Sequence, residues 1–209
     1  EETSSRELRK RIKVFGMSAR KNSLENFEEI GNALLNRKRL HLTYYSKDRD
    51  DITERDISPQ RMIYYRDNWY VDAFCHLRKD LRNFALDSVK KAIMLEEKAH
   101  EVQDKTLHDY FADSYGIFSG KVTHTAKLRF TPKKARWVSK ETWHGQQKAT
   151  FDKNGYYILE FGYNQDPELI MEIMKHGAEV EVLEPSELRD KVIEETTKLL
   201  KQYKKASSK

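Results

Sequence analysis

A switch of hydrophobic period at Leu40 constrains this chain more than any other feature. Before it, Asn26, Phe27, Ile30, Leu34 and Leu35 form the stripe of a helix that Ser23 can cap and Asn36-Arg37 ends. After it, Leu40, Leu42 and Tyr44 alternate with His41, Thr43 and Tyr45, the period of a half-buried strand. Four more short runs follow: Ile52–Ile57, stopped by Ser58-Pro59; Arg61–Tyr65, turned by Arg66-Asp67-Asn68; Trp69–Cys75; and Arg82–Leu86. Residues 87–95 close the unit. Short strands so closely spaced, with tight turns between them, predict a small β-barrel behind one helix.

The chain then changes character. Glu96–Asp104 is polar and acidic, Leu107–Tyr115 reads as a short helix, and Gly116 and Gly120 punctuate a loop. Residues 96–120 are therefore expected to link two domains. Beyond them Thr125–Phe130 reads as a strand, and Pro132 opens a short helix over Lys133–Val138. Gln147–Phe151 and Tyr156–Phe161 read as a hairpin around Asp152–Gly155. Pro167 stands at the first turn of a helix over Glu168–His176 that Gly177 stops. Ala178–Leu183 is a strand. A last helix, Glu187–Tyr203, carries Leu188, Val192, Ile193, Thr196, Leu199 and Leu200 on one face. The order β-α-β-β-α-β-α over residues 121–205 is close to a ferredoxin-like domain with an added helix. The expected class is α+β. Residues 1–22, polar and basic, read as a connecting arm, and the start at Glu1 without Met is expected of a shortened chain.

Composition works by exclusion. Apolar residues at 38% and aromatics at 11% suit a globular protein rather than a disordered one. A net charge of +5 fits a polyanionic partner, though charge speaks to association and not to fold. The single cysteine, Cys75, rules out an intrachain disulfide and a multi-thiolate zinc site, and suits a reducing cytoplasm. No run approaches the roughly 20 apolar residues of a membrane span. There is no Gly-rich phosphate loop, GxSxG or HExxH motif, and no clustered carboxylates, so neither catalysis, cofactor nor metal is expected. Cys75 and His76 are neighbours on a strand and point to opposite faces, which separates them as a nucleophile and base.

Cations are the remaining chemistry. Arg55, Arg61, Arg78 and Arg82 fall on or beside strands of one small unit, and arginine's planar fork matches phosphate or carboxylate. His76 can donate to the same anion, and Ser46 or Tyr44 can add hydroxyls. Charge that merely protects strand edges gives the same pattern, so both readings stand open. A second basic stretch, Lys121–Lys148, holds Lys127, Arg129, Lys133, Lys134 and Arg136 with Trp137 and Trp143. Cations interleaved with aromatics are the ingredients of a single-stranded nucleic-acid groove, whereas core tryptophans with solvated lysines are the plainer alternative.

An ordered series of residues carries a family resemblance. Leu40-x-Leu42-x-Tyr44-x-Ser46, Arg55, Pro59, Trp69-Tyr70-Val71-x-Ala73, Cys75-His76-Leu77-Arg78 and Arg82-x-Phe84-x-Leu86-Asp87 resemble a WYL domain. Leu128-x-Phe130, Trp143-His144-x-x-Gln147, Gly155, Leu169-x-x-x-Ile173-x-x-x-Gly177 and Val182-Leu183-Glu184-Pro185-x-x-Leu188-Arg189 resemble the WCX domain that often follows it. The resemblance covers about residues 24–203. It implies an Sm-like, SH3-type barrel with a leading helix over 23–95, then a WCX domain. It also implies a place in a bacterial transcriptional regulator, behind a winged helix-turn-helix that reads duplex DNA. Such modules are thought to sense a nucleotide or short single-stranded DNA, and the regulators are commonly homodimers. Transferred by position, the ligand surface is Tyr44, Ser46, Arg61, Tyr70, His76, Arg78 and Arg82. Two departures stand out: Val71 ends the Trp-Tyr-Leu triplet, and Ser88 stands where the family often has a second Arg.

The expected function is therefore the ligand-sensing and dimerisation portion of such a regulator, cytoplasmic, with no membrane partner. The alternative is a standalone single-stranded nucleic-acid-binding module without a switching role.

Overall fold

The computed structural model describes residues 24–47, 49–112, 115–116 and 122–206, so Ser23 and the arm over 1–22 lie outside the described residues. The chain is α+β, built on two antiparallel sheets, and divides into two compact units between Val102 and Gln103.

In the first unit, helix α1 (Leu24–Leu35) precedes strands β1 (Lys38–Ser46), β2 (Asp51–Tyr65), β3 (Asn68–Cys75), β4 (Asp80–Ala85) and β5 (Val89–Lys98). They pair in the order β4-β3-β2-β1-β5. The ladders leave this sheet open rather than closed into the expected barrel. β4 is short and gives way to a 3-10 turn, Leu86–Ser88, instead of running along β5. The two strands expected on either side of Ser58-Pro59 are one long strand. Proline lacks an N–H, and the sheet accommodates it with a bulge between Pro59 and Arg61, where the register against β3 shifts.

One face of this sheet holds the core. Leu40 and Leu42, Ile57, Val71, Ala73 and Cys75, and Phe84 are buried on it beneath Ile30 and Ala33 of α1. Leu35, expected in the helix stripe, is exposed, and Ala33 occupies the inward position. Asn26 ties helix to sheet: its amide donates to Val89 O (2.9 Å) and accepts from Ala92 N (3.1 Å).

The second unit begins with α2 (Asp104–Ala112), inside the stretch expected to be a linker. Then come β6 (His124–Phe130), α3 (Pro132–Val138), β7 (Lys148–Phe151), β8 (Tyr157–Tyr163), α4 (Pro167–Lys175), β9 (Val180–Glu184) and α5 (Ser186–Ala206). The sheet order is β7-β8-β6-β9. Alternate residues Ala126, Leu128 and Phe130 of β6 meet Tyr157, Leu159, Phe161 and Tyr163 of β8 in the core, closed by Leu169 and Ile173 of α4 and Leu188 of α5. Thr131 caps α3, its hydroxyl accepting from Lys134 N (3.3 Å). Gly177 ends α4 at φ +58°, where a side chain would be strained. Of the apolar face expected on α5, only Leu188 and the half-buried Val192 pack inward; Ile193, Leu199 and Leu200 are exposed.

Candidate functional site

Strand alternation sorts the candidate residues onto two faces of the first sheet. Directly paired residues of an antiparallel ladder point the same way. On β2, Thr53, Arg55 and Ile57 share the core face, opposite Tyr44, Leu42 and Leu40. On β4, Arg82 stands opposite Ala73 and Phe84 opposite Val71, so Arg82 belongs to this face too. Ser46 is in phase with Tyr44 and ends β1 opposite Asp51.

Arg55 is the unusual member. It is 8% exposed, and its side chain donates from Nε to Thr53 Oγ1 (3.1 Å) and weakly from Nη1 to Cys75 Sγ (3.9 Å). It makes no ion pair with any carboxylate among the described residues. Taking a charge out of water without a counter-charge is costly, so a buried guanidinium of this kind is an attractor for an anion. Arg82, half exposed, lies 3.6 Å from Asp80 on β4, and Arg78 is exposed on the turn between β3 and β4. The Tyr44 ring packs edge-on against Phe84 at 5.3 Å, and its hydroxyl accepts from Ala85 N (3.3 Å). Burial pushes the Tyr44 hydroxyl pKa up against the hydrogen bonds from Ala85 and Ser88. Ser88 is buried beside Asp87, which also gathers the Lys47 ammonium and the Asn68 amide (3.3 Å).

Arg61 and Tyr70 point the other way. The bulge at Pro59–Arg61 puts Arg61 opposite Asp72 and away from Arg55. Arg61 Nε donates to Asp72 Oδ2 (2.7 Å) and Asn83 Nδ2 to Asp72 Oδ1 (2.8 Å). Asp72 is 0% exposed; burial pushes its carboxyl pKa up, against the pull of Asn83 and Arg61. The charge of Arg61 is thus engaged by a structural carboxylate. Tyr70 lies on the same face, opposite Ile63 and Ala85.

His76 forms a third group. Its Nε2 lies 2.8 Å from Ser58 Oγ, which also accepts from His100 N (2.8 Å). The direction of the bond between the Ser58 hydroxyl and Nε2 follows the tautomer of the ring. Burial holds the His76 pKa below its usual value, and nearby Arg39 acts in the same sense. Phe74 packs against both rings, 5.3 Å from His76 and 4.3 Å from His100. Cys75 faces the core, so the two neighbours do diverge.

The sheet thus sets Tyr44, Ser46 and Arg82 on the core face. It sets Arg61 and Tyr70 on the other and holds His76 in a separate hydrogen-bonded cluster. Arg55 was visible as one of the strand arginines, but not as the buried one. The available signal was its phase with Ile57, obscured because Ile52 sits on the opposite phase and is exposed.

In the second unit the basic residues are mostly compensated. Lys127 pairs with Glu184 (3.6 Å), Arg129 with Glu181 and the Tyr156 ring (5.2 Å to its centroid), and Lys133 with Glu179 (3.6 Å). Lys134 and Arg136 make no ion pair among the described residues. The two tryptophans split: Trp143 packs against the core and donates from Nε1 to Glu141 (2.9 Å), whereas Trp137 is 59% exposed beside Lys133 and Lys134 in an open cleft of about 380 Å³. Among the described residues no cluster of His, Cys, Asp or Glu could hold a metal ion, and no helix is long and apolar enough to cross a membrane.

Comparison with known proteins follows this division. A family model for the WYL domain matches residues 25–94, and one for the WCX domain matches residues 123–200. No curated protein matches the chain. Among solved structures, proteasome accessory factor B/C (PafBC) of Arthrobacter aurescens is similar at 24% identity with a TM-score of 0.38, covering 85% of this chain and 27% of that one. A CRISPR Cas-related protein shares the fold at 12% identity and a TM-score of 0.57, covering 87% of this chain and 53% of that one. The chain therefore spans about a quarter of the first of these proteins and about half of the second.

Proposed function

Since the chain belongs to the WYL family, as a WYL domain followed by a WCX domain, we propose that it is the ligand-sensing and dimerisation portion of a bacterial transcriptional regulator. The ligand is anionic, a nucleotide or short single-stranded DNA. Its binding biases a helix-turn-helix upstream, through differential affinity for two states. In this reading residues 1–22 are the connector, 23–95 the sensor, 96–120 the linker and 121–205 the WCX domain. The leading helix and the strand order support an Sm-like first unit. The β-α-β-β-α-β order with strand order β7-β8-β6-β9 supports a ferredoxin-like second one. The working compartment is the cytoplasm.

The observation that carries the reading is Arg55, a buried guanidinium without a carboxylate partner among the described residues, on the face of the sheet that Tyr44 and Arg82 share. A phosphate there supplies the missing counter-charge in the planar geometry that guanidinium favours. Arg78 on the adjoining turn and Ser46 at the end of β1 extend the contact. His76, Arg61 and Tyr70 act from the opposite face, on a longer ligand that wraps the sheet edge.

Anisotropy titration of labelled short oligonucleotides tests this. Arg82→Ala and Arg55→Met should each weaken binding at least about tenfold, the scale of one lost charge-assisted contact. Equal affinity in wild type and both variants would sink the proposal.

A second reading, a single-stranded nucleic-acid module without switching, is favoured by Lys134 and Arg136 near the exposed Trp137. Backbone-driven binding of that kind falls steeply with salt and ignores ligand length. A sensor site prefers a defined short ligand.

A further inference from the structure

The packing of the second unit gives Trp137 no role. Its ring is 59% exposed and lines the open cleft of about 380 Å³ with Lys133, Lys134, Glu141 and Glu179. A single exposed apolar side chain is ordinary. The setting of this one is not. Lys133 and Lys134 stand four and three positions before Trp137 on α3, and so on the same side of the helix. The chain continues the turn beyond α3, with Lys140 N donating to Trp137 O (3.0 Å) and Glu141 N to Val138 O (3.0 Å). An ammonium, an aromatic face and a carboxylate therefore follow one another along one wall of the cleft.

Their commitments differ. Lys133 pairs with Glu179 (3.6 Å), which also accepts the Thr131 hydroxyl. Lys134, half-buried, makes no ion pair among the described residues. Glu141 is oriented by the core. Trp143 Nε1 donates to its Oε2 (2.9 Å), and the Trp143 ring is stacked on His176 (5.5 Å) and packed edge-on against Phe130 (5.5 Å). Gln147 Nε2 holds the Glu141 carbonyl (3.2 Å). A carboxylate accepts through two oxygens, so Glu141 keeps capacity for further donors. A preoriented acceptor lowers the cost of ordering a site on binding.

These groups match the parts of a nucleotide. A base stacks on an exposed indole, a phosphate pairs with an ammonium, and the base edge donates to a fixed carboxylate. Lys134 and Glu141 are seven residues apart, roughly 10 Å at the helical rise, a span one nucleotide covers from phosphate to base edge. Guanine presents two N–H donors side by side on its pairing edge, the complement of a carboxylate. Adenine sets an acceptor beside its amino group, and a carboxylate repels it.

We propose that this cleft binds one guanine nucleotide unit, its base stacked on Trp137, its donor edge on Glu141 and its phosphate on Lys134. A free nucleotide and the end of a strand both supply that unit. The ligand class rests on the nucleotide reading above, but the site stands on the second unit and needs neither Arg55 nor Arg82.

Equilibrium dialysis tests the cleft, using the whole chain with Arg82→Ala so that the first unit does not contribute. The probes are GMP, IMP, AMP and a phosphorylated trinucleotide ending in guanine. The tighter of GMP and the trinucleotide names the source. AMP should bind about tenfold more weakly than GMP, the scale of an unmade bond to a charged group. Trp137→Ala should weaken GMP at least about fivefold, the low end for a lost base stack, and Lys134→Ala about tenfold. Trp137 is exposed, so its truncation should leave the circular dichroism unchanged. IMP lacks the exocyclic amino group of guanine, and the preference for GMP over IMP should shrink in Glu141→Gln, which a purely structural role would not produce. Binding of neither GMP nor the trinucleotide, or equal affinity in the Trp137 and Lys134 variants, overturns the site. AMP bound as tightly as GMP overturns the guanine assignment. None of these results touches the oligonucleotide titration of Arg55→Met and Arg82→Ala, which decides the earlier reading by itself.

Discussion

Two arginines on β2 should respond oppositely to the same substitution. Arg55 is buried with a hydroxyl and a thiol for company; Arg61, with a 40% exposed side chain, holds the fully buried Asp72. Methionine keeps most of the volume of either side chain and removes its charge. At position 55 this relieves a desolvation cost of several kcal/mol. It forfeits the bond to Thr53, worth about 1.5–3 kcal/mol for a charged donor. Without ligand, Arg55→Met should therefore leave the first unit unchanged or up to about 2 kcal/mol more stable, the difference of those two figures. At position 61 the change strands a buried carboxylate. Breaking a buried pair costs about 3–5 kcal/mol, and here the lower end or slightly less applies, because water reaches Arg61 and Asn83 still donates. Arg61→Met should lose about 2–3 kcal/mol on that scale. Cys75 offers a local assay. It is the only cysteine in the chain and is buried in the first unit, so saturating thiol labelling along a urea series reads the unfolding of that unit alone. A loss at Arg55 as large as that at Arg61 would refute the distinction and make Arg55 a structural cation.

Other expectations follow from the same geometry. Asp72 has its pKa raised in the fold, so its contribution is fully present below pH 3.8 and is lost as pH rises through the folded value; the Arg61→Met deficit should narrow as pH falls toward 3.8 in the same labelling assay. His176 stacks on Trp143 with neither ring nitrogen hydrogen-bonded, although Nε2 lies 3.5 Å from Glu172. Burial holds its pKa below 6.5, with Lys134 adding to the effect, so its stability contribution is present above pH 6.5 and fades as pH falls toward the folded value. His176→Phe should flatten that acid-side loss and stabilise the second unit by about 1 kcal/mol, the low end for removing an unsatisfied buried group; destabilisation in urea unfolding would contradict this. Gly116 sits at φ +83°, and an added Cβ would run into the Glu168 carboxylate. Gly116→Ala should cost roughly 1–3 kcal/mol, the range for a strained backbone position, measured as a lowered thermal midpoint.

The strands were legible because period-two alternation survives in the sequence wherever one face is buried, as at Leu40, Leu42 and Tyr44. What the sequence could not resolve is which arginine meets which face. Arg55 and Arg61 are six positions apart and should share a face on an uninterrupted strand. The bulge at Pro59–Arg61 inverts the phase between them, and nothing local to either arginine records it. The pairing of Arg61 with Asp72 is likewise a product of register, set by residues on β3. On α5 the apolar period continues past Val192 into exposed residues, and periodicity alone cannot distinguish a buried face from an exposed one. Trp137 and Trp143 show the same limit: similar composition, with one ring in the core and the other in solvent.

The bulge has a mechanical consequence as well. Gln60, inside it, donates to His100 O (2.8 Å) and accepts from Val102 N (3.2 Å), while Ser58 accepts from His100 N. Residues 99–102 belong to no strand, yet three backbone groups there are riveted to β2 by side chains. Their amides should exchange with solvent as slowly as those of a ladder, and the first unit delivers its outgoing chain from a rigid spout rather than a swivel.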